Sequence, residues 1–211
     1  SYHHIGLQLS QLQESLKRLN TSYVDLLLVE QPPSNQPDAC NHAKSFERKN
    51  VCHQGLEALY GLGLAKAIGI CNWSVGEMER VRAIASVPIH VAQVECHIYR
   101  PQLELIAYCE KHKIIVISDG FIGSPAIPIP FLHKVIDFFD YPNMFAEPVV
   151  VEIADKHKKT PAQVLLHYLL DRYIGVIYNS LSPDRMNENL DVSKSLLIHE
   201  DITRLNAIPY R

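Results

Sequence analysis

Short apolar runs alternate with amphipathic stretches along the whole of this chain, and few folds satisfy such a pattern. Leu9, Leu12, Leu16 and Leu19 fall on one helical face, and residues 23–29 then form a nearly all-apolar run of strand length closed by Pro32 and Pro33. Helix-like residues follow at 51–60, with Gly61 and Gly63 as a stop, ahead of a strand at 67–70. The pattern continues with a helix over 75–85, a strand at 90–94, a helix over 102–111 and a strand at 114–117. Thr160, Pro161 and Gln163 supply an N-cap, a proline at the first helical position and a capping-box partner. Gly175 to Ile177 reads as a strand, and Ser182-Pro183 opens a last helix through Leu190.

Apolar strands alternating with amphipathic helices predict a parallel sheet covered by helices, either a barrel or an open doubly wound sheet. No G-x-G-x-x-G follows the first strand, which weakens the open nucleotide-binding alternative. Five strands are read, where a (β/α)8 barrel needs eight and typically ~250 residues. Residues 124–148 do not fit the alternation: prolines 125, 128, 130, 142 and 148 and phenylalanines 131, 138, 139 and 145 crowd one long loop, the kind that often serves as a lid.

Composition narrows the function. A net charge of −3 without charge runs gives no basic stripe for nucleic acid and no polybasic anchor for a membrane. No apolar run approaches the ~20 residues of a bilayer span, and the N-terminus lacks the form of a secretory leader. Five cysteines with no C-x-x-C spacing read as reduced thiols in a cytoplasmic protein, and eleven scattered histidines give no metal-ligand spacing, so no metal site is expected.

Four blocks in order, SLKRLNTSYVDLLLVEQPP at 15–33, GLAKAIGICNW at 63–73, VAQVECHIY at 91–99 and VIYNSLSPDRMNENL at 176–190, resemble the aldo-keto reductase family across nearly the whole chain. The resemblance implies a (β/α)8 TIM-type barrel, here incomplete and covering roughly strands 4 to 8 as one partial domain over 1–211. It also implies a nicotinamide cofactor, NADPH, and hydride transfer to a carbonyl. Glu30, Cys71, Asn72, Gln93, Asp119 and Ser180 each stand at the carboxyl end of an expected strand, where a barrel of this kind keeps its active-site mouth. A carboxamide needs a donor and an acceptor in fixed geometry, which Asn72 and Gln93 could offer; the plainer alternative is that they cap turns. Trp73 is expected to line the mouth or pack over the cofactor site.

The departures from the family pattern are specific. Carbonyl reduction in the family uses a Tyr as general acid with a Lys and an Asp, on strands 2 and 3, and the chain is expected to begin after those strands, as a piece of something longer. The family's substrate-orienting His falls at Glu30, an exchange similar to that of the steroid 5β-reductases. A carboxyl at a semi-buried mouth stays protonated more readily and can donate to a substrate carbonyl, or it is a drifted, solvated side chain. Arg185, Glu188 and Asn189 match the family's adenosine end, and Ser180 a phosphate-binding hydroxyl. Asn179, however, replaces the Lys that pairs with the 2′-phosphate, Asp119 replaces a Tyr that stacks on the nicotinamide, and Cys71 replaces a Ser on the carboxamide.

Two functions follow. One is a nicotinamide-dependent oxidoreductase acting on a small carbonyl or steroid-like substrate in a longer form, catalytically impaired in this chain and with NADPH bound weakly or not at all. The other is a noncatalytic, enzyme-derived binding or interaction protein.

Overall fold

The structure, a computed structural model, describes residues 2–30, 45–123, 142–192 and 197–209. The chain divides into two compact units, residues 1–93 with 104–115 and residues 94–103 with 116–211. Within each unit the strands are parallel and neighbour one another in chain order, with helices between them.

In the first unit, α1 (Tyr2–Leu19) is a helix because its leucines recur at three- and four-residue spacing, and it begins before Leu9, the first residue of that stripe. Leu12 and Leu16 are buried against Leu59, with Leu9, Val24, Leu27 and Leu64 packed around them. Each such apolar side chain contributes roughly 1.5–3 kcal/mol when fully buried. α2 (Ser45–Gly61) presents Leu56 to Ala65 and Ile68 of the next strand. Strands β1 (Val24–Glu30), β2 (Ala65–Cys71) and β3 (Val91–Glu95) follow, β3 crossing from the first unit into the second. Gly69 is required where β2 passes β3: a Cβ there would lie 2.4 Å from the Val91 carbonyl oxygen and 2.7 Å from Leu28 Cδ2. α3 (Val75–Arg82) starts on a capping box between Ser74 and Glu77, and α4 (Leu103–Lys111) buries Leu105 and Cys109.

The second unit holds β4 (Ile115–Asp119), whose first residue belongs to the first unit, and β5 (Gly175–Ile177), paired from Ile117↔Gly175 to Asp119↔Ile177. α5 (Pro148–His157) follows a 3-10 turn at Met144–Ala146. α6 (Pro161–Leu170) has the capping box expected of Thr160 and Gln163, and Val164, Leu165, Leu166, Tyr168 and Leu169 fill the interior. α7 (Pro183–Leu190) begins after the Ser182 cap, and α8 (His199–Asn206) closes the described chain.

Several expectations change. Helices α5 and α8 were not anticipated. Pro148, read as the end of an irregular segment, instead opens α5, where the missing N–H costs nothing. The rest of that segment, 124–141, lies outside the described residues. Gln93 is the third residue of β3 rather than its end, because the ladder continues to Glu95. Trp73 is 2% exposed and so belongs to the core of the first unit instead of lining an open mouth. Cys71, Cys96 and Cys109 are buried free thiols. Among the described residues no helix is long and apolar enough to cross a membrane, and no cluster of three His, Cys, Asp or Glu side chains could hold a metal.

Candidate functional site

The first unit carries one group of the expected site residues. Glu30 ends β1 and is in register with Cys71, which ends β2 and is in register with Gln93 of β3, so the three backbones form a row across the strands. Parallel pairing fixes that row, because strands in chain order bring their carboxyl ends to one side. Cys71 is 5% exposed and Gln93 half-buried. Asn72 takes φ +58°, a left-handed conformation that Asn tolerates better than most residues, and its backbone N–H donates to the Gln93 carbonyl at 2.9 Å. Its side-chain amide also approaches Cys71 Sγ at 3.5 Å. Asn72 thus begins the turn that follows β2. The side chain of Glu30 lies outside the described residues.

The second unit brings the other group together. A cleft of about 410 Å³ is lined by Asn179, Ser180, Arg185, Glu188 and Asn189, all chosen from sequence, facing apolar Phe121, Ile122 and Phe145 and the start of α6 at 160–162. Helix α7 explains the clustering, since Arg185, Glu188 and Asn189 are three and four residues apart and share a face. Asn189 is buried, Glu188 half-buried, and Arg185 and Asn179 exposed. The Ser180 hydroxyl oxygen accepts from the Ser182 N–H at 3.2 Å, so it shapes the turn that aims α7. Phe121 stands edge-on to Tyr178, ring centroids 6.3 Å apart. Asp119 ends β4 opposite Ile177 and is half-buried, but it is not among the residues lining this cleft.

Thr160, Phe121 and Ile122 escaped the sequence reading as site residues. Thr160 was legible only as a helix cap, and apolar walls leave no polar signature in a sequence. In the structure the Thr160 hydroxyl donates to Glu188 Oε1 at 2.5 Å, and Gln163 Nε2 donates to the Glu188 carbonyl at 3.1 Å.

A second polar group in this unit is structural. Glu95 accepts from the buried His97 at 3.1 Å and from Arg100 at 2.7 Å. Burial would raise the Glu95 carboxyl, but the bonds and charges of His97 and Arg100 outweigh it and hold the pKa below the usual range. Burial pushes the neighbouring Cys96 thiol up to about 11, so it stays protonated and unreactive at neutral pH.

The sequence profile of the aldo/keto reductase family matches residues 2–209. The chain belongs to that family. It is 32% identical over 207 residues to aldo-keto reductase family 1 member A1 of Gallus gallus, covering 93% of this chain and 61% of that protein. An aldo-keto reductase enzyme from a Medee basin deep-sea metagenome library superposes with a TM-score of 0.78 at 28% identity, over 96% of this chain and 65% of that one. The Bombyx mori aldo-keto reductase in complex with NADP gives 0.75 at 28% identity, over 92% and 60%. This chain thus spans about three-fifths of the length of its curated relatives, 61% in the first case.

Proposed function

We propose that this aldo-keto reductase chain carries the adenosine-binding part of a nicotinamide dinucleotide site, as part of an oxidoreductase of carbonyl compounds. The carrying observation is the convergence of Asn179, Ser180, Arg185, Glu188 and Asn189 on one cleft. The residues present suit an anionic nucleotide. Arg185 is an exposed cation, Glu188 and Asn189 offer acceptors and a donor to the edge of a base, and Phe121, Ile122 and Phe145 offer apolar contact to its faces. When bound, the cofactor would supply or take up a hydride. The assignments of Cys71, Asn72, Gln93 and Asp119 to the nicotinamide end, and of Glu30 to the substrate, rest on the resemblance, as does the reading of the five strands as strands 4 to 8 of an eight-stranded barrel.

Within these 211 residues no position is assigned to the family's proton-donating Tyr or its Lys and Asp, so the chemistry proposed for them is binding rather than proton transfer. Affinity is expected to be weak, with little preference for the phosphorylated cofactor. The position expected to hold a cation for the 2′-phosphate carries a neutral, exposed Asn179. That same position favours the noncatalytic binding protein as the second reading. Fluorescence or calorimetric titration with NADPH and NADH, on wild type and Asn179→Lys, tests both. Restoring the cation should strengthen the phosphorylated form alone by about 1.5–3 kcal/mol, a tenfold to hundredfold gain. No binding of either cofactor at millimolar concentration by either protein would remove the cofactor reading. A strong preference for the phosphorylated form in wild type would overturn the reading of Asn179.

A further inference from the structure

Between α3 and β3 the chain runs through residues 83–90 without regular structure, and one face of α2 grips it. Positions 53, 57 and 60 of α2 are four and three residues apart and supply that face. The Glu57 carboxylate accepts from the Ser86 N–H at 2.6 Å and the Val87 N–H at 2.8 Å. His53 Nε2 meets the Val87 carbonyl at 3.1 Å, and a carbonyl only accepts, so that nitrogen carries the proton. Tyr60 stacks on His90, ring centroids 5.6 Å apart. His90 in turn ties the segment to the sheet. Its Nδ1 accepts from the Ile68 N–H at 3.2 Å, its own N–H donates to the Ile68 carbonyl at 3.0 Å, and its carbonyl accepts from the Ile115 N–H at 2.9 Å. An imidazole standing in for a backbone carbonyl thus closes the amino end of the β2–β3 ladder, just before the Gly69↔Val91 pair.

Both rings fit this arrangement in one protonation state. A proton on His90 Nδ1 would face the Ile68 N–H, donor against donor. His53 is 1% exposed, and among the described residues its Nδ1 has no hydrogen-bond partner, so a second proton would make a buried charge without an acceptor. Burial holds the His53 pKa below the usual histidine value, outweighing the Val87 carbonyl and the Glu57 carboxylate 3.6 Å away, and His90 adds to the lowering.

We propose that segment 83–90 is a proton-released latch, closed onto α2 and β2 while His53 and His90 are neutral and opened when they take up protons. The titratable groups that face the two rings are Glu57, Tyr60 and the rings themselves. Release loosens the start of the β2–β3 pairing, which sets Cys71 level with Gln93. Rings in the open segment take protons near ~6.5, whereas the closed latch excludes them. Closure is therefore fullest above ~6.5 and weakens as pH falls from there toward the folded His53 pKa. Within that window each ring that must shed a proton to close changes the opening equilibrium by about tenfold per pH unit, and two rings by about a hundredfold.

Amide hydrogen exchange on the full chain at pH 7.5 and 5.5, corrected for the intrinsic pH dependence of exchange, reads the latch at Ile68, Ser86 and Val87. Protection at all three should fall by about tenfold or more at the lower pH. Low concentrations of urea should leave their exchange unchanged, because opening one segment exposes little surface, whereas exchange through global unfolding accelerates. His53→Gln keeps an Nε2 donor for the Val87 carbonyl, and His90→Asn keeps an acceptor for the Ile68 N–H, but neither amide titrates. The double variant should be equally protected at both pH values, and each single variant should lose part of the response. His53→Gln alone decides the matter if chains altered at position 90 do not fold. A wild type equally protected at both pH values would overturn the proposal. So would variants that respond to pH as wild type does, or urea-sensitive exchange at the three amides, since the segment would then open only with the whole unit.

Discussion

Asp201 is the side chain whose replacement should cost the second unit most. Its carboxylate is fully buried and accepts from Lys156 Nζ at 2.8 Å, His157 Nε2 at 2.7 Å and the Ile198 N–H at 3.2 Å. These bonds tie α8 to the end of α5. In Asp201→Asn the amide oxygen can keep the Ile198 bond, but one carboxylate oxygen becomes an NH2 that faces donors, and the charge is lost. Two charge-assisted bonds at about 1.5 kcal/mol each, the low end because Lys156 can rehydrate, give a loss of about 3 kcal/mol. For a chain of this size that corresponds to a melting temperature lower by roughly 6–12 °C. The pH dependence follows from the same contacts. Burial would raise the Asp201 pKa, but Lys156, His157 and the Ile198 N–H outweigh it and hold it below the usual carboxylate value. A depressed folded-state pKa adds stability above the unfolded value near ~3.9, and that stability is lost as pH falls through the folded pKa. Urea melts of wild type and Asp201→Asn between pH 7 and pH 3 measure both effects. A variant within about 0.5 kcal/mol of wild type at neutral pH would refute the reasoning.

Further outcomes are expected elsewhere. Burial lowers the pKa of His53, whose Nε2 meets the Val87 carbonyl at 3.1 Å, so the folded first unit favours the neutral ring. Stability should be full above the unfolded value near ~6.5 and fall as pH drops from there toward the folded pKa. His53→Leu should flatten that limb in urea melts at pH 7.5 and 5.5, and an unchanged slope would exclude His53. Among the described residues β1 pairs on one side only, with β2, and an unpaired strand edge promotes association, so light scattering should show concentration-dependent oligomers. A monodisperse monomer would contradict this. With no general acid assigned among its residues, the chain should not reduce simple aldehydes with NADPH or NADH above buffer background, and clear turnover by material free of host reductases would overturn the impairment reading.

The sequence was most informative where a signal was local. The Thr160-Pro161-Gln163 cap, the Gly175 to Ile177 strand and the helix opened by Ser182-Pro183 through Leu190 depend on near neighbours, and the structure has each of them. Helix α8 was missed because its apolar stripe is thin: of its residues only Asp201 and Leu205 are buried, and a buried aspartate hides the amphipathic pattern. Helix α5 was missed because Pro148 reads as punctuation until a helix is known to begin there. The bond from Thr160 to Glu188 joins residues 28 apart in sequence, which no periodicity encodes. Gln93 was placed by a strand end because the strand was expected to close at Val94, and polar Glu95 gives no apolar cue that the ladder continues.

The row formed by positions 30, 71 and 93 makes this part of the molecule tolerant in one way and brittle in another. Backbone pairing holds those positions level, so exchanging the side chain at any of them redraws the chemistry while the ladder stays in place. Adding or removing a single residue inside β1 has the opposite effect. It would displace position 30 by about 3.3 Å along the strand and turn it to the other face, together with every apolar neighbour that packs beneath it. Over evolutionary time such a strand end can change its letters freely but cannot change its length.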